Sequence, residues 1–101
     1  MAHVIVFAPE AQADLIELYD YIAGRGGPQR ALSYVERIEA TCRGLAGFPE
    51  RGTRRDDIRS GLRVIGLAGR VTIAFHLGTG TVTIDRILYG GRDLAAALDD
   101  V

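Results

Sequence analysis

A chain of 101 residues, 48% hydrophobic and 25% charged, is sized for one domain spanning 1–101 and is too apolar to be disordered. Its formal net charge is −1 and all twelve basic side chains are arginine, which excludes Schiff-base lysine chemistry and a P-loop. No apolar run nears the roughly 18 residues of a membrane span. The start, MAHVIVFAPE, lacks a signal-peptide pattern, and a lone Cys42 cannot form an internal disulfide, so a cytoplasmic protein is expected.

"HVIVF" (3–7) is a short β-branched and aromatic run that reads as a strand. Pro9 then suits the first position of a helix, with Glu10 in its first turn. Ala11, Leu15, Leu18 and Ile22 recur at helical spacing, widened by Tyr19, while Asp14, Glu17 and Asp20 fall largely off that stripe. Gly24, Gly26 and Gly27 end the helix, and Gly27–Pro28 opens a second. Its stripe is Ala31, Val35, Ile38, Cys42 and Leu45, and "GFPERG" (47–52) closes it. A link of about four residues predicts an antiparallel helical hairpin.

"RGTRRDDIRSG" (51–61) is a polar loop with no period, after which the period becomes two. Strands are predicted over 62–67, 70–77 and 81–89, with a turn between Gly66 and Gly69 and a hairpin turn at 78–80. Gly90 and Gly91 turn the chain, Asp93 is placed to cap, and "LAAAL" (94–98) is one helical turn or slightly more. The order β-α-α-β-β-β specifies an α+β domain, a helical hairpin on a twisted, largely antiparallel sheet.

Charge is unevenly spread. Residues 1–50 carry four arginines against seven acids, residues 51–92 carry eight against three, and the tail adds three aspartates. A basic stretch between acidic ones suggests a local anionic partner, beside the plain reading of a solvated surface.

Catalytic chemistry finds little footing. His3 and His76 are the only histidines, and without HxxH or CxxC spacing no metal or other cofactor is expected. His76 shares a strand face with Arg70, which would keep a general base neutral; otherwise it is a half-buried strand histidine. Cys42 lies on an apolar stripe, and Ser33 and Ser60 sit in no nucleophile elbow. Asp85 is the only carboxylate on the predicted sheet.

Tyr19 is expected in the core, and Tyr21 and Tyr34 as exposed aromatics for a partner to cover. Arg63, Arg70, Arg86 and Arg92 remain. Arg63 and Arg70 each begin a strand across a short turn and are expected at one end of the sheet, where guanidinium groups recognise anions. The plain alternatives pair Arg86 with Asp85 or a helix acid, and Arg92 with a tail aspartate.

The segments "FAPEAQADLIELYDYIA" (7–23), "GFPERGTRRDDIRSGLR" (47–63), "GRVTIAFHL" (69–77) and "IDRILYGGRDL" (84–94) stand in an order that resembles the ParE branch of the RelE/ParE superfamily. Its members are the toxins of bacterial toxin–antitoxin pairs. The resemblance implies a cognate antitoxin, in a heterotetramer or larger complex, and DNA gyrase as the target, poisoned by binding. It implies neither sequence-specific DNA binding nor a membrane. Arg63, Arg70, His76, Arg86, Tyr89, Arg92 and Asp93 are the residues expected to meet target or antitoxin, with Tyr21 and Tyr34 at the antitoxin interface.

RelE-like members instead cut mRNA on the ribosome, using basic residues near Arg63, Arg70 and Arg92 and a tyrosine in the C-terminal segment. Here that position falls around Leu98, in a tail without tyrosine. Losing it removes a contributor to attack by a ribose hydroxyl. The ParE-like reading is therefore preferred, the ribonuclease second, and an inactive antitoxin-binding relative third.

Overall fold

The computed structural model describes residues 3–98. The tail acids Asp99 and Asp100 lie outside them. Elements run β1 (Val4–Phe7), α1 (Pro9–Gly26), α2 (Pro28–Gly44), β2 (Thr53–Arg54), β3 (Arg63–Leu67), β4 (Val71–Gly78), β5 (Thr81–Tyr89) and α3 (Leu94–Leu98).

Both long helices begin with proline, whose missing N–H costs nothing at that position. Only Gly27 separates them, rather than about four residues. Its φ of 91° is one that a side chain would resist. The chain thus reverses within one residue and lays α2 back along α1.

Ala11, Leu18 and Ile22 of α1 and Ala31, Ile38 and Cys42 of α2 are buried against one face of the sheet. Each fully buried Leu or Ile contributes about 1.5–3 kcal/mol there. Asp14 shares the buried stripe of α1, against the expectation that it lies off it.

Strand order is β1-β5-β4-β3-β2. Three pairings are antiparallel, and β1 joins β5 in parallel, Val4 opposite Thr81. A strand far away in sequence thereby flanks β5. With neighbours on both sides and cover on both faces, β5 has five consecutive buried residues, Ile84 to Leu88. The loop at 51–61 contains the two-residue β2, which periodicity cannot reveal in so short a stretch.

A bulge interrupts β4 and β5: Ala74 faces Arg86 and Phe75 faces Ile84, leaving Asp85 as the extra residue. It shifts the alternation by one, so that Ile84 and Ile87 both enter the core beneath the helices. The other sheet face carries a smaller cluster of Leu62, Ala74 and Leu98, covered by Ile58, Val64 and Leu94. Asp93 Oδ1 accepts from the amides of Ala95 and Ala96 at 3.0 and 3.3 Å, the cap that opens α3.

Candidate functional site

The interior charge lies at the bulge. Arg86 donates from Nε and Nη2 to the two oxygens of Asp14 at 2.8 and 2.9 Å, and from Nη1 to the carbonyl of Ala97 at 2.7 Å. Both side chains are buried. Arg59 donates to the next carbonyl, Leu98, at 3.0 Å. Two guanidinium groups thus serve two of the carbonyls at the end of α3, those of Ala97 and Leu98.

His76 follows Phe75 on β4 and so faces away from the helical hairpin. Its Nδ1 lies 2.7 Å from Oδ2 of Asp85, and its side chain is 44% exposed. Asp85, placed there by the bulge, is its partner; Arg70 is not, because Arg70 belongs to the turn before β4.

Arg63 and Arg70 do not share an end of the sheet. In an antiparallel pair successive strands begin at opposite ends, and Arg63 pairs with Phe75 while Leu67 pairs with Val71 beside the turn. The strand between them spans roughly 13 Å. Arg63 donates to the carbonyls of Arg51 and Glu50 and pins the loop after α2.

At the other end the chain converges. The Gly90 amide donates to the carbonyl of Arg70 at 2.7 Å, tying the β3–β4 turn to the end of β5. Tyr89 lies there between the helices. Its ring centroid is 5.8 Å from that of Tyr21, tilted, and 6.1 Å from that of Tyr34, edge-on. Arg25 lies over the Tyr21 ring at 4.3 Å. A groove of about 530 Å³ opens here, with Arg30 and Arg70 on its walls. Past Tyr21 and Tyr89 it adjoins a smaller hollow, of about 250 Å³, that Arg92 also lines.

Tyr21 is 47% exposed. Tyr34 corrects the expectation of an exposed aromatic: it is half-buried, packs against the core, and its hydroxyl is buried with no hydrogen-bond partner among the described residues.

The structure therefore brings together Arg70, Tyr89, Tyr21 and Tyr34, with Arg92 beside them. Asp93 is exposed at the head of α3, and Arg92 and Asp93 also line a polar hollow with Arg55 and Asp57 on the other sheet face. Arg63 and His76 stand apart, and Arg86 is inside. Sequence reasoning missed Arg25 and Arg30, although "GRGGPQR" (24–30) places both at the tip of the helical hairpin.

An apolar hollow of about 650 Å³ lies along β1, lined by Val6, Leu15, Ile16, Tyr19 and Val35 among others. Ile16 is 65% exposed within it. Among the described residues β1 has a strand neighbour on one side only, so its outer edge is open to pairing.

Burial pushes the Cys42 thiol up to about 12, with Glu39 adding to the effect. Asp56 and Asp57 are held below the ordinary carboxylate value. For Asp56 the main cause is the Gly61 amide, then Arg54; for Asp57 it is Arg55. Among the described residues no group of three or more His, Cys, Asp or Glu is placed to hold a metal ion, and no helix is long and apolar enough to cross a membrane.

Known proteins place this architecture. The chain is 30% identical over 95 residues to Toxin ParE1 of Mycobacterium tuberculosis strain H37Rv, covering 93% of this chain and 96% of that protein. It is 33% identical over 98 residues to Toxin ParE3 of Caulobacter vibrioides, covering 97% and 96%. Two solved structures share the fold. A chain of the chromosomal ParDE TA system from P. aeruginosa matches with TM-score 0.78 at 24% identity, over 88% of this chain and 97% of that one. A chain of the toxin–antitoxin complex RelBE2 from Mycobacterium tuberculosis matches with TM-score 0.59 at 21% identity, over 88% and 99%. The family model for the ParE toxin of the type II toxin–antitoxin system parDE matches residues 5–94, and the chain belongs to that family.

Proposed function

We propose that this ParE-family toxin acts in the cytoplasm, inhibits DNA gyrase by binding, and is neutralised by a cognate antitoxin. The observation that carries the preference for binding over RNA cleavage is Leu98. Around the position where a ribonuclease of this superfamily would carry a tyrosine, the segment 94–101 has none, and Leu98 is buried against Leu62 and Ala74, with its carbonyl held by Arg59. An aliphatic side chain packed into the sheet offers neither stacking nor a proton. The arginines agree: Arg63 is engaged by backbone carbonyls and Arg70 lies at the far end of the strand. The basic positions therefore do not surround one scissile bond.

Antitoxin binding is supported by the open edge of β1 and the apolar hollow beside it, where Ile16 and Val6 are exposed. Exposed aliphatics beside an unpaired strand suit a partner segment that supplies both an apolar face and backbone hydrogen bonds.

Controlled expression tests the reading. Growth should stop with a DNA-damage response, and co-expression of a small protein encoded beside this gene should restore it. Light scattering on the purified pair should give a heterotetramer or larger. Arrest without a DNA-damage response, accompanied by cleavage of ribosome-bound mRNA, would replace the gyrase reading with the ribonuclease.

A further inference from the structure

The groove at the hairpin tip changes character along its length. At the tip Arg25, Arg30 and Arg70 line it, with no carboxylate among the described residues there. Past Tyr21 and Tyr89, which belong to both parts, the lining becomes Leu18 and Ile87, with one acid and one base, Glu17 and Arg92, and with Asp14 already paired to Arg86. One end is cationic; the other is apolar and close to neutral.

We propose that this groove takes an extended peptide segment of a protein partner, with one or two carboxylates over Arg30 and Arg70 and an apolar side chain over Leu18 and Ile87. Guanidinium forks bind carboxylates through paired N–H donors. Arg25 is already held over the Tyr21 ring, so part of the cationic end is ordered before a partner arrives. Tyr34 and Tyr89, edge to face, form an aromatic wall at the same end. A nucleic-acid strand fits less well, because its uniform charge would have to continue past Glu17 over an apolar floor. The proposal goes beyond the antitoxin reading: it names the chemistry of the occupant and holds for any partner carrying such a segment.

The test is calorimetric titration of the full chain with the capped peptide Glu-Glu-Leu-Phe, its Gln-Gln-Leu-Phe counterpart, and single-stranded DNA of about ten nucleotides. The Glu peptide should bind. Affinity should fall about tenfold or more for the Gln peptide and for Arg30→Glu/Arg70→Glu, since each loses charge-assisted hydrogen bonds. Both arginines are exposed, and circular dichroism should show the variant folded. No binding of the Glu peptide at millimolar concentration, or equal binding of the two peptides, would overturn the proposal. Tighter binding of the oligonucleotide would assign the groove to nucleic acid. A dimer abolished by the double variant would assign it to a second copy.

Discussion

Arg86 on β5 and Asp14 on α1, 72 positions apart in sequence, meet through two parallel hydrogen bonds of 2.8 and 2.9 Å. Asp14 also accepts the Ile87 amide at 2.8 Å, and Arg86 reaches on to the Ala97 carbonyl. One buried pair therefore joins the first helix, the bulged strand and the last helix.

Removing one partner strands the other in the interior. Arg86→Met is expected to cost about 3–5 kcal/mol, because it leaves a buried carboxylate without its counter-charge. Asp14→Leu/Arg86→Met should recover part of the loss, with the Ile87 amide and Ala97 carbonyl still unserved. Urea unfolding followed by circular dichroism measures both, and a single variant as stable as the parent would show that the pair does not organise the fold.

Ala68 has a φ of 56° and Gly69 a φ of 69°, and the Arg70 amide donates to Leu67 at 3.2 Å. This is the mirror-image turn that suits a twisted hairpin, and it favours Asn-Gly. Ala68→Asn should stabilise the protein by about 0.5–1 kcal/mol, and Ala68→Val should destabilise it, because left-handed backbone opposes a β-branched side chain. Paired thermal melts decide the sign.

Cys42 is fully buried, and its thiol ionises near 12 instead of the ordinary 9.0. The folded protein should not react with Ellman's reagent at neutral pH, and reaction should appear only as it unfolds. The raised value also sets a direction. Stability from keeping this thiol neutral is complete below pH 9.0 and is lost as pH rises toward 12. Cys42→Ala should flatten that alkaline decline in urea midpoints taken across the range.

Asp56 folds the 55–61 loop onto itself: its carboxylate accepts the Gly61 amide at 2.8 Å and meets Arg54 at 3.0 Å. Its carboxyl titrates below the ordinary 3.8, so the stabilisation is present above that value and lost as pH falls below it. The protection of the Gly61 amide, taken relative to its intrinsic exchange rate at each pH, should fall over that acid window, and Asp56→Ala should leave that protection low at every pH. Protection that does not respond to either change would remove the carboxylate from the loop's support.

The sequence makes much of this fold legible where residues repeat regularly. The stripes from Ala11 to Ile22 and Ala31 to Cys42, and the alternation Val71–Ile73–Phe75, report directly which faces are buried. Pairing partners are not written locally. Nothing in "VIVF" announces a parallel neighbour 77 positions on, Val4 beside Thr81. The Asp14 interaction was half legible. It stands three residues after Ala11 and four before Leu18, yet it was expected off the stripe, and its burial there makes sense only once Arg86 is known to lie opposite. The groove was harder, since Arg25, Arg30, Arg70 and Tyr89 come from three separate turns of the chain.

DNA supercoiling by purified gyrase, titrated with this protein, tests the central claim most directly. Supercoiling should fall with added protein and saturate near stoichiometric amounts, with mRNA on translating ribosomes left intact. Unchanged supercoiling at excess protein, together with cleavage of that mRNA, would contradict the claim.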